Sequence, residues 1–169
     1  NPNFSFNGAK GIIFLTVNNG ILGYNIDPKN NSSRHDQKRI LELVRRLKNS
    51  GWEFGSNNYE YTLDNSLSEM QFLKHISLWN KYTSPIINNT NYYASPYGEN
   101  IENPSIIQHL NDNSFRVFFY NDFTNNFEVK NNSIFMSRKL VSGKTIRNNE
   151  SEFSELFDCK KIYDHNNRT

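Results

Sequence analysis

The chain lacks most of the features that declare a function outright. Cys159 is the single cysteine among 169 residues. An intrachain disulfide and a cysteine-built zinc cluster are therefore excluded, and an intracellular, reducing compartment is favoured. No run comes near the roughly 18 consecutive apolar residues that a membrane span requires, so no membrane partner is expected. Internal repeats and a second domain boundary are also missing, so residues 1–169 read as one domain. Charge of one sign is scarce: the net charge is +2 and the pI near 8.6, which permits a nucleic-acid partner without demanding one. The chain begins Asn-Pro without Met and carries seven Asn-X-Ser/Thr sequons, at Asn3, Asn30, Asn31, Asn88, Asn131, Asn149 and Asn167. Secretion thus stays open, although several such triplets arise by chance in so asparagine-rich a chain.

What is present in excess is asparagine, at about one position in six, together with an aromatic share of 14% in a background of mean hydropathy −0.77. Asparagine favours turns, caps and left-handed backbone. The core must accordingly be assembled from Phe, Tyr and Ile clusters between long polar loops. This composition fits an AT-rich coding genome.

Periodicity predicts the elements. Gly11 to Val17 (GIIFLTV) reads as a buried strand closed by the turn Asn18-Asn19-Gly20. Ser33 caps a helix over 33–50, with Asp36 in its first turn and Ile40, Leu41, Val44 and Leu47 along one stripe. A second helix over 66–80 starts at the capping box Ser66-Leu67-Ser68-Glu69 and buries Leu67, Met70, Leu73, Ile76 and Trp79. Residues 83–113, with Pro85, Pro96 and Pro104, read as a long aromatic and Asn-rich loop insertion. Ser114 to Tyr120 (SFRVFFY) reads as a central strand, with Phe115, Val117 and Phe119 expected against Ile13, Leu41, Val44 and Leu73. A hairpin turning near Asn131-Asn132 and a short final helix over 149–157, with Phe153, Leu156 and Phe157 inward, complete the chain. The order predicts an α+β domain, ferredoxin-like or a related mixed sheet, with both main helices on one face.

Three stretches carry a resemblance. Gly51-Trp52-Glu53-Phe54 followed by Tyr59, Asn65-Ser66-Leu67-Ser68, and Phe115 to Lys130 are together similar to the virulence-associated protein D family. Those proteins are small ferredoxin-like ribonucleases similar to the CRISPR spacer-acquisition nucleases. The resemblance covers about half of the chain and implies a ribonuclease. It breaks at the first strand, where that family carries aspartates and GIIFLTV has none. Residues 83–113 and everything after Asn131 have no counterpart.

Other residues point to nuclease chemistry independently. Asp112 followed by Glu128-Val129-Lys130 has the spacing of PD-(D/E)XK nucleases. In those enzymes two carboxylates hold Mg²⁺ or Mn²⁺ and the lysine positions the attacking water. His35-Asp36 on the first helix resembles the histidine of the cap-snatching endonucleases of segmented RNA viruses. The expected site is therefore His35, Asp112, Glu128 and Lys130, with Asp112 and Glu128 as metal ligands. The alternative for His35-Asp36 is a charged helix start. Lys38, Arg39, Arg45 and Arg46, with Tyr59 and Tyr61 beside them, could hold RNA by phosphate contacts and stacking; equally, they are a solvated helix face. His75, His109 and His165 are isolated, and Ser142-Gly143-Lys144-Thr145 copies only the end of a P-loop, hence a turn. Tyr92, Tyr93 and Tyr97 in the 83–113 loop suit a protein interface if exposed. Two functions follow: a small metal-dependent nuclease or RNA-binding accessory or toxin-type protein, or a non-catalytic interaction factor (immunity, effector or viral inhibitor) acting through that loop. A homodimer is compatible with both.

Overall fold

A computed structural model describes residues 8–26 and 33–162. Six strands form one mixed sheet in the order β1-β2-β3-β4-β6-β5. These are β1 (Ile12–Leu15), β2 (Glu53–Ser56), β3 (Tyr92–Ala94), β4 (Val117–Asn121), β5 (Phe127–Lys130) and β6 (Ser133–Arg138). The first five in that order run parallel, and only β5 is antiparallel, against β6. Helices α1 (Ser33–Asn49), α2 (Glu69–Ile87) and α3 (Pro104–Asp112) connect successive parallel strands. Helices and a mixed sheet are as expected, but the ferredoxin-like expectation is corrected: strand–helix–strand units laid in parallel replace that arrangement.

The 83–113 segment is no insertion. Its first residues continue α2 through Pro85 to Ile87, its middle forms β3, and its end forms α3. β3 has three residues, too few for a periodicity to register. Pro104 opens α3 behind the Asn103 cap, where a missing N–H costs nothing.

Register divides the strand residues between two faces. Ser56, Tyr93, Phe118 and Phe135 are cross-strand partners, and their face meets the helices. There Ile40 and Val44 of α1, Phe72, Ile76 and Trp79 of α2, and Ile106 and Leu110 of α3 join Leu15, Phe54, Tyr93 and Phe118 in one buried cluster. The expected core is corrected in three places. Phe118 is buried whereas Phe119 lies on the other face; Leu41 is 46% exposed; and α2 is rotated so that Phe72 points in while Leu73 and Met70 stand 39% and 81% exposed. The helix also starts later than expected, capped by Ser68 reciprocated by Gln71 rather than by Ser66.

The second face carries Phe14, Gly55, Ala94, Phe119 and Met136. In a flat sheet β1 and β4 would lie about 14 Å apart, yet the rings of Phe14 and Phe119 are centred 5.4 Å apart. Arg138, at the end of β6, places its guanidinium 5.5 Å from the centre of the Phe14 ring. The sheet is thus curled into part of a barrel with this face inside. Gly55 permits the curl: a Cβ there would sit 2.5 Å from the Phe14 ring. After β6, short helices α4 (Gly143–Asn148), α5 (Glu150–Phe153) and α6 (Cys159–Ile162) build a satellite cluster of Ile146, Phe153 and Cys159. The single final helix is therefore divided, and Leu156 is exposed. The Ser142–Thr145 stretch caps the start of α4.

Candidate functional site

In parallel sheets with helical crossovers, ligands bind beyond the carboxyl ends of the strands. Here that edge includes the loops after β1, β2 and β3, and a buried polar network fixes the second of these. Asn58, just past β2 with φ of 64°, is its hub. Its Nδ2 donates to Asp64 Oδ1 at 2.6 Å and to the Thr62 carbonyl at 3.2 Å. Its Oδ1 accepts from the Tyr59 N–H and from His75 Nδ1 at 2.7 Å. That donation leaves His75 Nε2 toward Glu60, 3.6 Å away. Tyr93, fully buried on β3, donates its hydroxyl to Asp64 Oδ2 at 2.7 Å. Burial raises the Asp64 pKa to about 7 against the two hydrogen bonds that lower it. Burial likewise lowers that of His75, with Glu60 opposing. Asp64 and the Nδ1 side of His75 are thus committed inside the protein, where they hold the 57–66 loop.

What the network presents is aromatic. Tyr61 and Tyr97, in the loops after β2 and β3, have φ of 59° and 56°, a left-handed conformation that a bulky residue adopts only under constraint. They are 38% and 64% exposed, with ring centres 4.6 Å apart. Past the end of β1, at the same carboxyl edge, a cavity of about 580 Å³ is lined by Asn18, Asn19, Gly20, Tyr24, Tyr59 and Tyr82. Tyr59 and Tyr82 stack there at 6.3 Å and 24°. Arg138 stands at the same edge on β6, beside its register partner Asn121. Burial lowers its pKa while the Tyr61 phenol works the other way.

The residues expected to hold a metal are not brought together. His35 is exposed at the start of α1, which leads from the β1 edge, whereas Glu128 lies on β5 at the opposite edge. Glu128 and Lys130 share a cavity of about 540 Å³ with Gln108 and Asn111 of α3, and Asp112 lines a different one while accepting from Gln108 Nε2 at 2.8 Å. Among the described residues no group of three His, Cys, Asp or Glu side chains could hold a metal ion. Asp36 Oδ2 accepts the Asn25 N–H at 3.4 Å; the Ser33 side chain and His165 lie outside the described residues. Lys38, Arg39, Arg45 and Arg46 are exposed on α1, with Arg46 paired to Glu42. Tyr59 and Tyr61 do not join them: Tyr59 packs on Tyr82 and His75, and Tyr61 on Tyr97. Of the three loop tyrosines, Tyr93 is core, Tyr92 half-buried in β3, and only Tyr97 exposed. His109 binds Glu69 at 2.6 Å and ties α3 to α2.

Asn58, Asp64 and Arg138 gave no sequence signal. Asn18-Asn19-Gly20 was legible as a turn but not as the wall of a cavity, because only the sheet order brings Tyr59 and Tyr82 to it. No helix of the described residues is long and apolar enough to cross a membrane.

No family model and no curated protein matches the sequence. Solved structures with partial likeness are polysaccharide deacetylases. A family 4 carbohydrate esterase from Streptomyces lividans shares 15% identity over 69% of this chain and 50% of its own, at a TM-score of 0.48. The Bc1960 peptidoglycan N-acetylglucosamine deacetylase shares 19% over 64% and 43%, at 0.44. The chitin deacetylase of the fungal pathogen Colletotrichum lindemuthianum shares 18% over 92% and 71%, at 0.49. The chain spans about half the length of the first of these. The resemblance to virulence-associated ribonucleases is corrected accordingly: the similar structures are carbohydrate deacetylases, and the mixed sheet is mostly parallel. The nuclease and RNA-binding readings are corrected with it.

Proposed function

We propose that this chain acts on a polysaccharide, binding an N-acetylated glycan of the chitin or peptidoglycan kind across the carboxyl edge of its sheet. The observation that carries the reading is the Tyr61–Tyr97 pair, exposed, packed ring against ring and held in left-handed backbone. A pyranose ring has an apolar face of C–H groups that lies flat on a phenol ring, while its hydroxyl and acetamido groups seek amides. Asn18 and Asn19 supply amides in the cavity at that edge, whose volume lies within the range for small-ligand sites. The deacetylases resemble the chain only at TM-scores below 0.5, so the reading rests on the edge itself.

Deacetylation by a metal-bound water calls for about three protein ligands on one ion. The carboxyl edge offers Asn18, Asn19, Asn58, Tyr61 and Tyr97 with the carboxylates Glu60, Glu99 and Asp122, but among the described residues no three His, Cys, Asp or Glu side chains converge, and His75 and Asp64 are committed to Asn58 and Tyr93. These residues do not fit such a centre, and no hydrolytic step is assigned to them. Binding is the function they support.

Calorimetric titration with chito-oligosaccharides and peptidoglycan fragments tests this, with acetate release followed in parallel under added divalent metal or EDTA. Tyr61→Ala and Tyr97→Ala are expected to weaken binding about tenfold each, as loss of an aromatic anchor does. Tyr97→Gly should bind as poorly while keeping or raising Tm, since glycine relieves the left-handed backbone. Binding unaltered in all three variants, or no binding at millimolar glycan, overturns the reading; metal-dependent acetate release overturns its non-hydrolytic part.

A further inference from the structure

Arg138 stands apart from the other half-buried arginine of the sheet. Arg116 spends its guanidinium on the carbonyls of Asn111 and Phe115 and on the Asn111 side chain. The Arg138 side chain makes no ion pair and donates no hydrogen bond among the described residues: its Nε is buried without a partner, and its guanidinium lies over the face of Phe14. An unpaired buried donor on a cation is costly, and a guanidinium laid on an aromatic ring keeps its in-plane N–H groups free. The position is also built. Arg138 pairs in register with Asn121 at the carboxyl end of β4. Asn121 in turn fills the space beside Gly98, where a Cβ would come within 2.1 Å of it. Tyr97 is the residue before Gly98, so the cation lies on the same rim as the tyrosine pair.

Resting on the polysaccharide reading, we propose that Arg138 receives a carboxylate of the bound glycan, so that the preferred ligand is an acidic saccharide rather than a neutral one. A carboxylate matches the free fork of a guanidinium in two parallel N–H···O bonds. It also neutralises the one cation that the curled sheet has drawn inside without a counter-charge. Tyr61 and Tyr97 then stack the sugar ring while Arg138 fixes the orientation of its acidic substituent.

The experiment compares two N-acetylated oligosaccharides of equal length, one with a carboxylate-bearing lactyl ether and one without, against the wild type, Arg138→Gln and Arg138→Lys. The wild type is expected to bind the acidic ligand about tenfold more tightly at low salt, the measure of one charge-assisted pair. Arg138→Gln should lose that preference and still bind the neutral ligand within about twofold of wild type, and Arg138→Lys should retain part of it, having the charge without the fork. Circular dichroism and Tm establish that each variant folds; if the glutamine variant does not, the lysine variant decides. Equal affinity of the wild type for both ligands, or a preference surviving Arg138→Gln, overturns the proposal and leaves the polysaccharide reading standing. Failure of both ligands to bind removes that reading and the proposal with it.

Discussion

Asp64 is the residue whose ionisation the fold resists most directly. Its folded pKa of about 7 lies above the ordinary 3.8, so the native state holds a proton that the unfolded chain has given up between those values. The stabilisation it brings is complete below about pH 4 and is lost as pH rises through about 7. His75, with its folded pKa lowered by burial, works in the opposite sense, its contribution being lost as pH falls below its ordinary value. The difference in unfolding free energy between wild type and Asp64→Asn, measured by urea titration from pH 4 to 8, isolates the carboxyl. It should shrink as pH rises, and a flat difference would show that Asp64 ionises freely. None of this was legible beforehand. Asp64 sits in the unremarkable run Thr62-Leu63-Asp64-Asn65, and its burial depends on Tyr93, a partner 29 positions away.

At the scale of elements, α2 shows what pattern reading captures and where it slips. The helix was legible from its apolar spacing, and a capping box was legible at its start. Two overlapping boxes stand there, and the helix uses Ser68 with Gln71, but the buried face is a separate matter. The discriminating fact is tertiary: Phe72 meets the sheet core, and no local signal separates it from Leu73. Phe72→Ala should therefore cost about 3–5 kcal/mol, whereas Met70→Ala, at a solvent-facing site, should change stability by less than about 0.5 kcal/mol. Chemical denaturation of the two variants checks both. The same limit hid β3, whose three residues are specified by parallel neighbours on either side rather than by their own alternation. β1, α1 and β4 were legible because each carries a long apolar run or stripe. The expected metal site failed for a related reason, since spacing along the chain says nothing about which sheet edge a carboxylate occupies.

For the whole molecule the decisive feature is the curl, and Gly55 is its hinge point. Gly55→Ala should cost about 1–3 kcal/mol through forced displacement of Phe14, read as a lowered Tm. It should also weaken glycan binding, because the rim that carries Tyr61, Tyr97 and Arg138 opens as the strands flatten. A curled sheet that does not close has two rims, and β5 is one of them. Phe127 and Val129 stand 64% and 65% exposed there, on the concave side opposite Met136 and Ile134. Glu128 and Lys130 point the other way, so no charge of β5 guards the apolar side. The outward backbone of β5 has no neighbouring strand among the described residues, and such an edge is a template for another extended chain. The colloidal behaviour of the protein is thus expected to turn on a strip four residues long. As concentration rises, the folded molecule should cloud from this rim, while its melting temperature gives no warning.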